Sequence, residues 1–195
     1  MHPIIEGRWS PRAFAADVVA PEVLRVLLEA ARWAPSHGNT QPARFLVGYR
    51  GDDTFGRIFA TLRPGNQGWA GAAAVLLVGM VVTADERGSL PNTEYGLGLA
   101  VENLALQAVD LGLAAHQMGG FDREAVRAAF AVPEDVRPVV VIAVGRAGDP
   151  ASLPEDLRER EQRPRRRRPL SETVFTGVYG RSAFSAESAD EPDHE

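Results

Sequence analysis

Apolar residues recur at helical spacing over Val23, Leu24, Leu27, Leu28 and Ala31. Pro21 suits the first turn of that helix, and Pro35 ends it. Phe45 to Tyr49 reads as a strand. Asp52 or Asp53 is placed to cap a short helix running to Leu62, and Arg63-Pro64-Gly65-Asn66 reads as a turn or loop. The run Ala73 to Val82 is apolar on both faces, the mark of a buried strand. Asn92 or Thr93 opens a long helix to about Leu111, apolar nearly all round, and Gly112 stops it. Ala114 to Met118 reads as a strand, Asp122 starts a helix to Ala131, and Val139 to Val144 is a second buried strand ending at Gly145.

Alternating strands and helices make the class α/β or α+β. Residues 1–20 and those after Pro150 lack a core of their own and read as arms that need a partner to pack on. The segment 150–169 is polar and carries seven Arg from Arg158 to Arg168. Residues 185–195 are Ser, Ala and acidic, with the composition of a disordered tail. No internal repeat is visible. With 195 residues, the expectation is a single domain over 1–184 plus that tail.

Composition narrows the field. The hydrophobic fraction is 45%, typical of a globular chain, and the formal net charge of −5 argues against wholesale nucleic-acid binding. All 21 basic residues are Arg, so any cationic contact to phosphate or carboxylate must be a guanidinium fork. With no cysteine, disulfides, thiolate catalysis and Cys-ligated metal drop out, and a cytoplasmic setting fits. The start of the chain lacks the basic and apolar regions of a secretory signal. The longest apolar run, 72–82, is too short to span a bilayer.

Several chemistries lack their parts. There is no phosphate-binding P-loop and no dinucleotide fingerprint, since Gly96-Leu97-Gly98 lies inside a helix pattern with Val at 101. The four His are scattered at 2, 37, 116 and 194 without metal-ligand spacing, so no metal is expected. No nucleophile elbow occurs.

Four polar features remain. Arg8, Ser10 and Arg12 alternate along a short extended segment, which sets them on one side. There, two forks and a hydroxyl suit a phosphate dianion; a solvated arm is the plainer alternative. The loop Ala34-Pro35-Ser36-His37-Gly38-Asn39-Thr40-Gln41-Pro42 carries amides and hydroxyls that match the edge of a planar heterocycle, and it equally suits an ordinary helix-to-strand connection. In Gln117-Met118-Gly119-Gly120-Phe121-Asp122, paired glycines let backbone approach a ligand closely, or simply make a tight turn. The run Arg163-Pro164-Arg165-Arg166-Arg167-Arg168 is a phosphate contact, a nucleic-acid patch or a solvated charge run. It contains no aromatic residue for base stacking.

Together these pieces resemble the nitroreductase family in its short single-domain form. Arg8-Trp9-Ser10-Pro11-Arg12-Ala13-Phe14 is similar to the family's opening Arg-Arg-Ser-x-Arg-x-Phe. Residues 34–42 match its Ala-Pro-Ser-x-x-Asn-x-Gln-Pro. Asn103-Leu104-Ala105-Leu106-Gln107-Ala108 matches the core of its central helix, Pro133 to Gly145 its segment into a terminal strand, and Arg165 to Leu170 its closing Arg-rich stretch. Five weak motifs in family order over roughly residues 4–180 make a strong one.

The resemblance implies an α+β three-layer sandwich. Its central sheet is mixed but mostly antiparallel, flanked by helices, and the protein is an intertwined homodimer. It implies flavin mononucleotide (FMN) as cofactor and NAD(P)H as co-substrate. A hydride passes through the flavin to an electron-poor small-molecule acceptor, such as a nitroaromatic or quinone, by ping-pong exchange. Arg8, Ser10 and Arg12 would contact the phosphate and ribityl chain, with Trp9 in the same stretch where the family has its second Arg. Ser36, His37, Asn39 and Gln41 would lie by the flavin ring of the partner subunit. Met118, Gly119 and Gly120 would pass their backbone near the isoalloxazine, and Arg165 and Arg167 would complete the phosphate site. The long helix 92–111 would form much of the dimer interface. Ala43 replaces the larger residue that often follows Gln-Pro. No general acid is assigned; His37 and His116 are the candidates. Two rival readings are a dehalogenating or flavin-cleaving relative on the same fold, and an anion- or nucleic-acid-binding module using Arg163 to Arg168. The net charge and the separate motifs at 8–12 and 34–42 speak against nucleic acid, and nothing points to a membrane.

Overall fold

The computed structural model describes residues 1–86 and 88–184. The acidic tail at 185–195 lies outside the described residues. The chain forms two compact units, Met1–Glu161 and a second beginning at Gln162.

The first unit is built on β2 (Val75–Val82), whose residues are buried nearly throughout. It lies between β1 (Ala43–Tyr49) and β6 (Val136–Gly145), and β5 (Ala114–Met118) forms the far edge, giving the order β1-β2-β6-β5. All three pairings are antiparallel. In β6 the register slips opposite Gly79 and Met80, which pair with Val140 and Pro138 and leave Val139 as an extra residue. Pro138 has no N–H to give to a ladder, so a bulge beside it is the expected accommodation.

Strand pleating sends alternate side chains to opposite faces. Val75, Leu77 and Val81 join α2 (Pro21–Arg32) and α5 (Thr93–Asp110) in one core. Leu76, Val78 and Met80 join α3 (Asp53–Ala60), α4 (Pro64–Ala70), α6 (Arg123–Phe130) and α7 (Glu155–Glu161) in the other. The result is helices, sheet, helices: the expected three layers of an α+β fold. α1 (Pro3–Gly7) precedes the arm, and β3 (Ala84–Asp85) and β4 (Gly88–Ser89) make a small hairpin.

The main elements fall where the hydrophobic pattern sets them. Asp52 caps α3 by accepting the Phe55 N–H at 2.6 Å, and Asp122 caps α6 by accepting from Ala125 at 3.0 Å. Residues 63–66, expected as a turn, instead open α4. Pro64 occupies its first turn, where a missing N–H costs nothing, and buried Trp69 and Ala70 anchor it. α7 likewise forms inside the polar stretch expected to be an arm, with Glu155 and Asp156 in its first turn and Arg158 and Arg160 in its last, matched to the helix dipole.

In the second unit Phe175 pairs with Ser182, and the chain between them turns so that the Phe175 and Tyr179 rings lie 4.8 Å apart. No helix among the described residues is long and apolar enough to cross a membrane.

Candidate functional site

The loop 36–42 carries the most constrained backbone of the first unit. Gly38, Asn39 and Gln41 all hold positive φ, at 54°, 58° and 47°. Asn tolerates that region; Gln does so only when its surroundings impose it. Here they do. Ser36 Oγ accepts the Gln41 N–H at 2.9 Å, Gln41 Nε2 donates to Asn39 O at 3.4 Å, and Arg44 Nη1 donates to Gln41 O at 2.9 Å. Ser36 and Gln41 therefore shape the loop, while His37 and Asn39 stand exposed on it. Thr40 Oγ1 is buried with no hydrogen-bond partner among the described residues. Next to the loop is a cleft of about 340 Å³, lined by Leu28, Ala31, Ala34, Phe45 and Gly96 with Arg32 and Arg44 among its polar residues. That is within the range of small-molecule sites, which are mostly apolar with a few placed polar groups.

The N-terminal arm lies elsewhere. Arg8 leaves α1 half-buried, its Nε 3.9 Å from Glu102 Oε1 on α5, and Trp9 and Ser10 follow, also half-buried. Residues 13–15 are then fastened along 146–148. Ala15 N donates to Arg146 O and Gly148 N to Ala13 O, both at 2.9 Å, and Phe14 pairs with Ala147. Arg12 Nη1 lies 3.5 Å from Glu161 Oε2. The sequence places Arg8, Ser10 and Arg12 on one anion; in the structure Arg8 and Arg12 each face a carboxylate of their own.

Behind the arm, His116 on β5 joins Nδ1 to Pro11 O at 2.8 Å, and its ring stacks obliquely on Trp69 at 4.3 Å. This is a packing histidine. Burial holds its pKa below the ordinary 6.5, with the Arg12 charge adding to the effect against the pull of the Pro11 carbonyl. The unfolded chain then binds the extra proton first, so stability is full above about pH 6.5 and falls as pH drops from there toward the folded-state value. His116→Gln should flatten that part of the stability profile, measured by urea unfolding at about pH 7.5 and about pH 5.5. A variant that keeps the wild-type slope refutes the assignment.

At the end of β5, Met118 puts its side chain into the core, so only its backbone can meet a ligand. Gly120 O accepts from Arg63 N at 3.0 Å and from Asn66 Nδ2 at 2.9 Å. Asn66 thus stands against the glycine turn, a position hidden in the sequence because 63–66 reads as a turn. Arg165 and Arg167 lie in the second unit, both exposed, with Arg167 Nη1 donating to Arg166 O. Among the described residues no cluster of His, Asp or Glu could hold a metal ion.

The model of the nitroreductase family matches residues 5–58 and 51–146. The chain belongs to the nitroreductase family. It is 41% identical over 148 residues to a 15.4 kDa uncharacterised protein of Mycolicibacterium smegmatis, covering 70% of this chain and 97% of that one. A Leptothrix cholodnii protein, provisionally named an NADH dehydrogenase/NAD(P)H nitroreductase, is 32% identical over 72% of this chain and 81% of its own length. A solved structure described as an oxidoreductase containing FMN superposes with a TM-score of 0.88 at 34% identity, covering 93% of this chain and 94% of that one. Family membership places the protein among oxidoreductases.

The residues present fit FMN. A guanidinium and hydroxyl arm suits its phosphate. A pair of glycines gives close backbone approach to a ring. A loop with exposed His37 and Asn39, an unpartnered Thr40 hydroxyl and an apolar cleft beside it suits the edge and face of a flat heterocycle.

Proposed function

We propose that this nitroreductase-family protein is an FMN-dependent NAD(P)H oxidoreductase that acts as a homodimer, with flavin sites at the subunit interface. When bound, FMN supplies two-electron exchange between NAD(P)H and an electron-poor acceptor, such as a nitroaromatic or a quinone, in ping-pong order. The residues supply binding and orientation. Arg8 and Ser10 hold the phosphate end, with Trp9 covering it; Arg165 and Arg167 of the closing segment carry guanidinium forks that also suit a phosphate. The backbone of Met118, Gly119 and Gly120 lies along the ring. Ser36, His37, Asn39 and Gln41 of the partner subunit close over it.

One observation carries the dimer reading. Loop 36–42 leads into β1, one edge of the sheet, whereas the 119–120 turn leaves β5, the opposite edge. Three strand spacings, about 14 Å, separate those edges. A second copy is the economical source of the missing half of each site. Ile5, Val26 and Trp33, exposed beside Leu106 of α5, form the apolar face such a contact needs.

The test is the visible spectrum of purified protein before and after addition of FMN. Flavin bands at about one FMN per chain, bleached by NADH or NADPH and restored by a nitroaromatic or quinone, are expected. A colourless protein that takes up no FMN overturns the reading.

A further inference from the structure

Among the ion pairs of the described residues, the most deeply buried side chain is that of Glu161, the last residue of α7. Its side chain is 1% exposed. Oε1 accepts the N–H of Arg12 at 2.7 Å and of Ala13 at 3.1 Å, and Oε2 faces Arg12 Nη1 at 3.5 Å. A carboxylate this deep is costly unless its lone pairs are met, and here two consecutive amides and a guanidinium meet them.

Fastening the arm does not by itself require a charge. Residues 13–15 already carry two backbone hydrogen bonds and a bridge to 146–148, and Pro11 is bonded to His116. Apolar replacements of buried ion pairs are often no less stable. What the carboxylate adds is control of one residue. It grips both the backbone and the side chain of Arg12, where the chain bends, and so fixes the direction in which residues 8–10 leave the fastened segment. It also draws on the Arg12 guanidinium, whose side chain is 28% exposed.

We propose that Glu161 is a positioning residue for the phosphate of the flavin. Through Arg12 it presents Ser10 and Arg8 to the phosphate, and Arg12 acts through this clasp rather than as a direct ligand. The proposal rests on the FMN reading above.

The phosphate provides a selective readout, because riboflavin has the same ring and no phosphate. Affinities of apoprotein for FMN and for riboflavin are measured by flavin fluorescence for wild type, Glu161→Gln and Arg12→Gln. In Glu161→Gln, which takes the charge out of the clasp on the Arg12 and Ala13 amides, the preference for FMN should shrink about tenfold while riboflavin affinity holds; removal of a negative charge acting alone would raise that preference, and a raised preference overturns the proposal. Arg12→Gln, which keeps the backbone clasp, should shrink it less. General loosening of the fold would weaken both flavins alike and leave the preference intact; that result overturns the proposal. So does a larger loss in Arg12→Gln than in Glu161→Gln, which would make Arg12 a direct ligand. Should Glu161→Gln not fold, Glu161→Asp, which keeps the charge with a shorter reach, must show a reduced preference; a wild-type preference there also overturns it. A wild-type protein that binds neither flavin removes the FMN reading itself, and this proposal with it.

Discussion

Gly48→Ala should strip the protein of a large part of its stability. Gly48 lies in β1 just before a tight turn, in which Asp52 Oδ2 accepts the Tyr49 N–H at 2.9 Å and Gly51 holds φ at 97°. The turn folds α3 back onto the strand. A Cβ on Gly48 would lie 2.4 Å from Phe55 N, 2.6 Å from Phe55 Cα and 2.8 Å from Thr54 C. All three are backbone atoms, so no rotamer change relieves the clash. Strand and helix must separate, and buried Phe55 and Ile58 lose their seat against the sheet. A loss of roughly 3–5 kcal/mol is expected, at the severe end for one substitution and a large share of a normal folding free energy. On the same helix, a Cβ added at Gly56 would meet nothing within 4 Å. Gly56→Ala should therefore gain about 0.5–1 kcal/mol from helix propensity alone. Urea unfolding followed by circular dichroism measures both. A Gly48→Ala cost below about 1 kcal/mol would mean that β1 and α3 part easily.

Arg8→Ala should weaken FMN binding about 10- to 100-fold, the worth of a charge-assisted hydrogen bond to phosphate, and leave riboflavin binding nearly unchanged. Arg8 sits on the arm just ahead of the Arg12 clasp, 3.9 Å from Glu102. That carboxylate opposes an incoming dianion. Glu102→Gln should thus act in the opposite direction and tighten FMN a few-fold, most clearly at low salt. Opposite signs from two neighbouring substitutions are hard to produce by general damage. Fluorescence titration with both flavins decides it. Equal FMN affinity in Arg8→Ala and wild type would take Arg8 out of the phosphate site.

The sequence made the framework legible for a physical reason. A strand buried on both faces has no polar positions to blur it, so residues 73–82 and 139–144 stand out, and Asp52 and Asp122 mark helix starts by their own capping chemistry. What escaped depends on tertiary context. Pro64-Gly65-Asn66 has turn chemistry, and only the burial of Trp69 turns the segment into a helix. The conformational demand at Gln41 is set by Ser36 and Arg44 rather than by Gln41 itself. The motifs at 8–14 and 34–42, taken in order with those downstream, are what made the family legible, and the family is established. The Glu161 clasp was not readable at all. It joins residues at opposite ends of the first unit, and a Glu among Glu and Arg in a polar stretch carries no local sign of burial.

The strand order also has a kinetic consequence. No neighbouring pair in the main sheet is a tight hairpin: α3 and α4 separate β1 from β2, α6 separates β5 from β6, and β2 finds β6 only after α5 and β5 have been made. The central ladder, Val75 with Val144 through Val82 with Val136, cannot form until most of the first unit has been synthesised. Long closures of this kind slow folding and leave apolar strands waiting with unpaired edges. Recovery of active protein should then depend more on the temperature and concentration at which the chain is made than on how stable it is once folded.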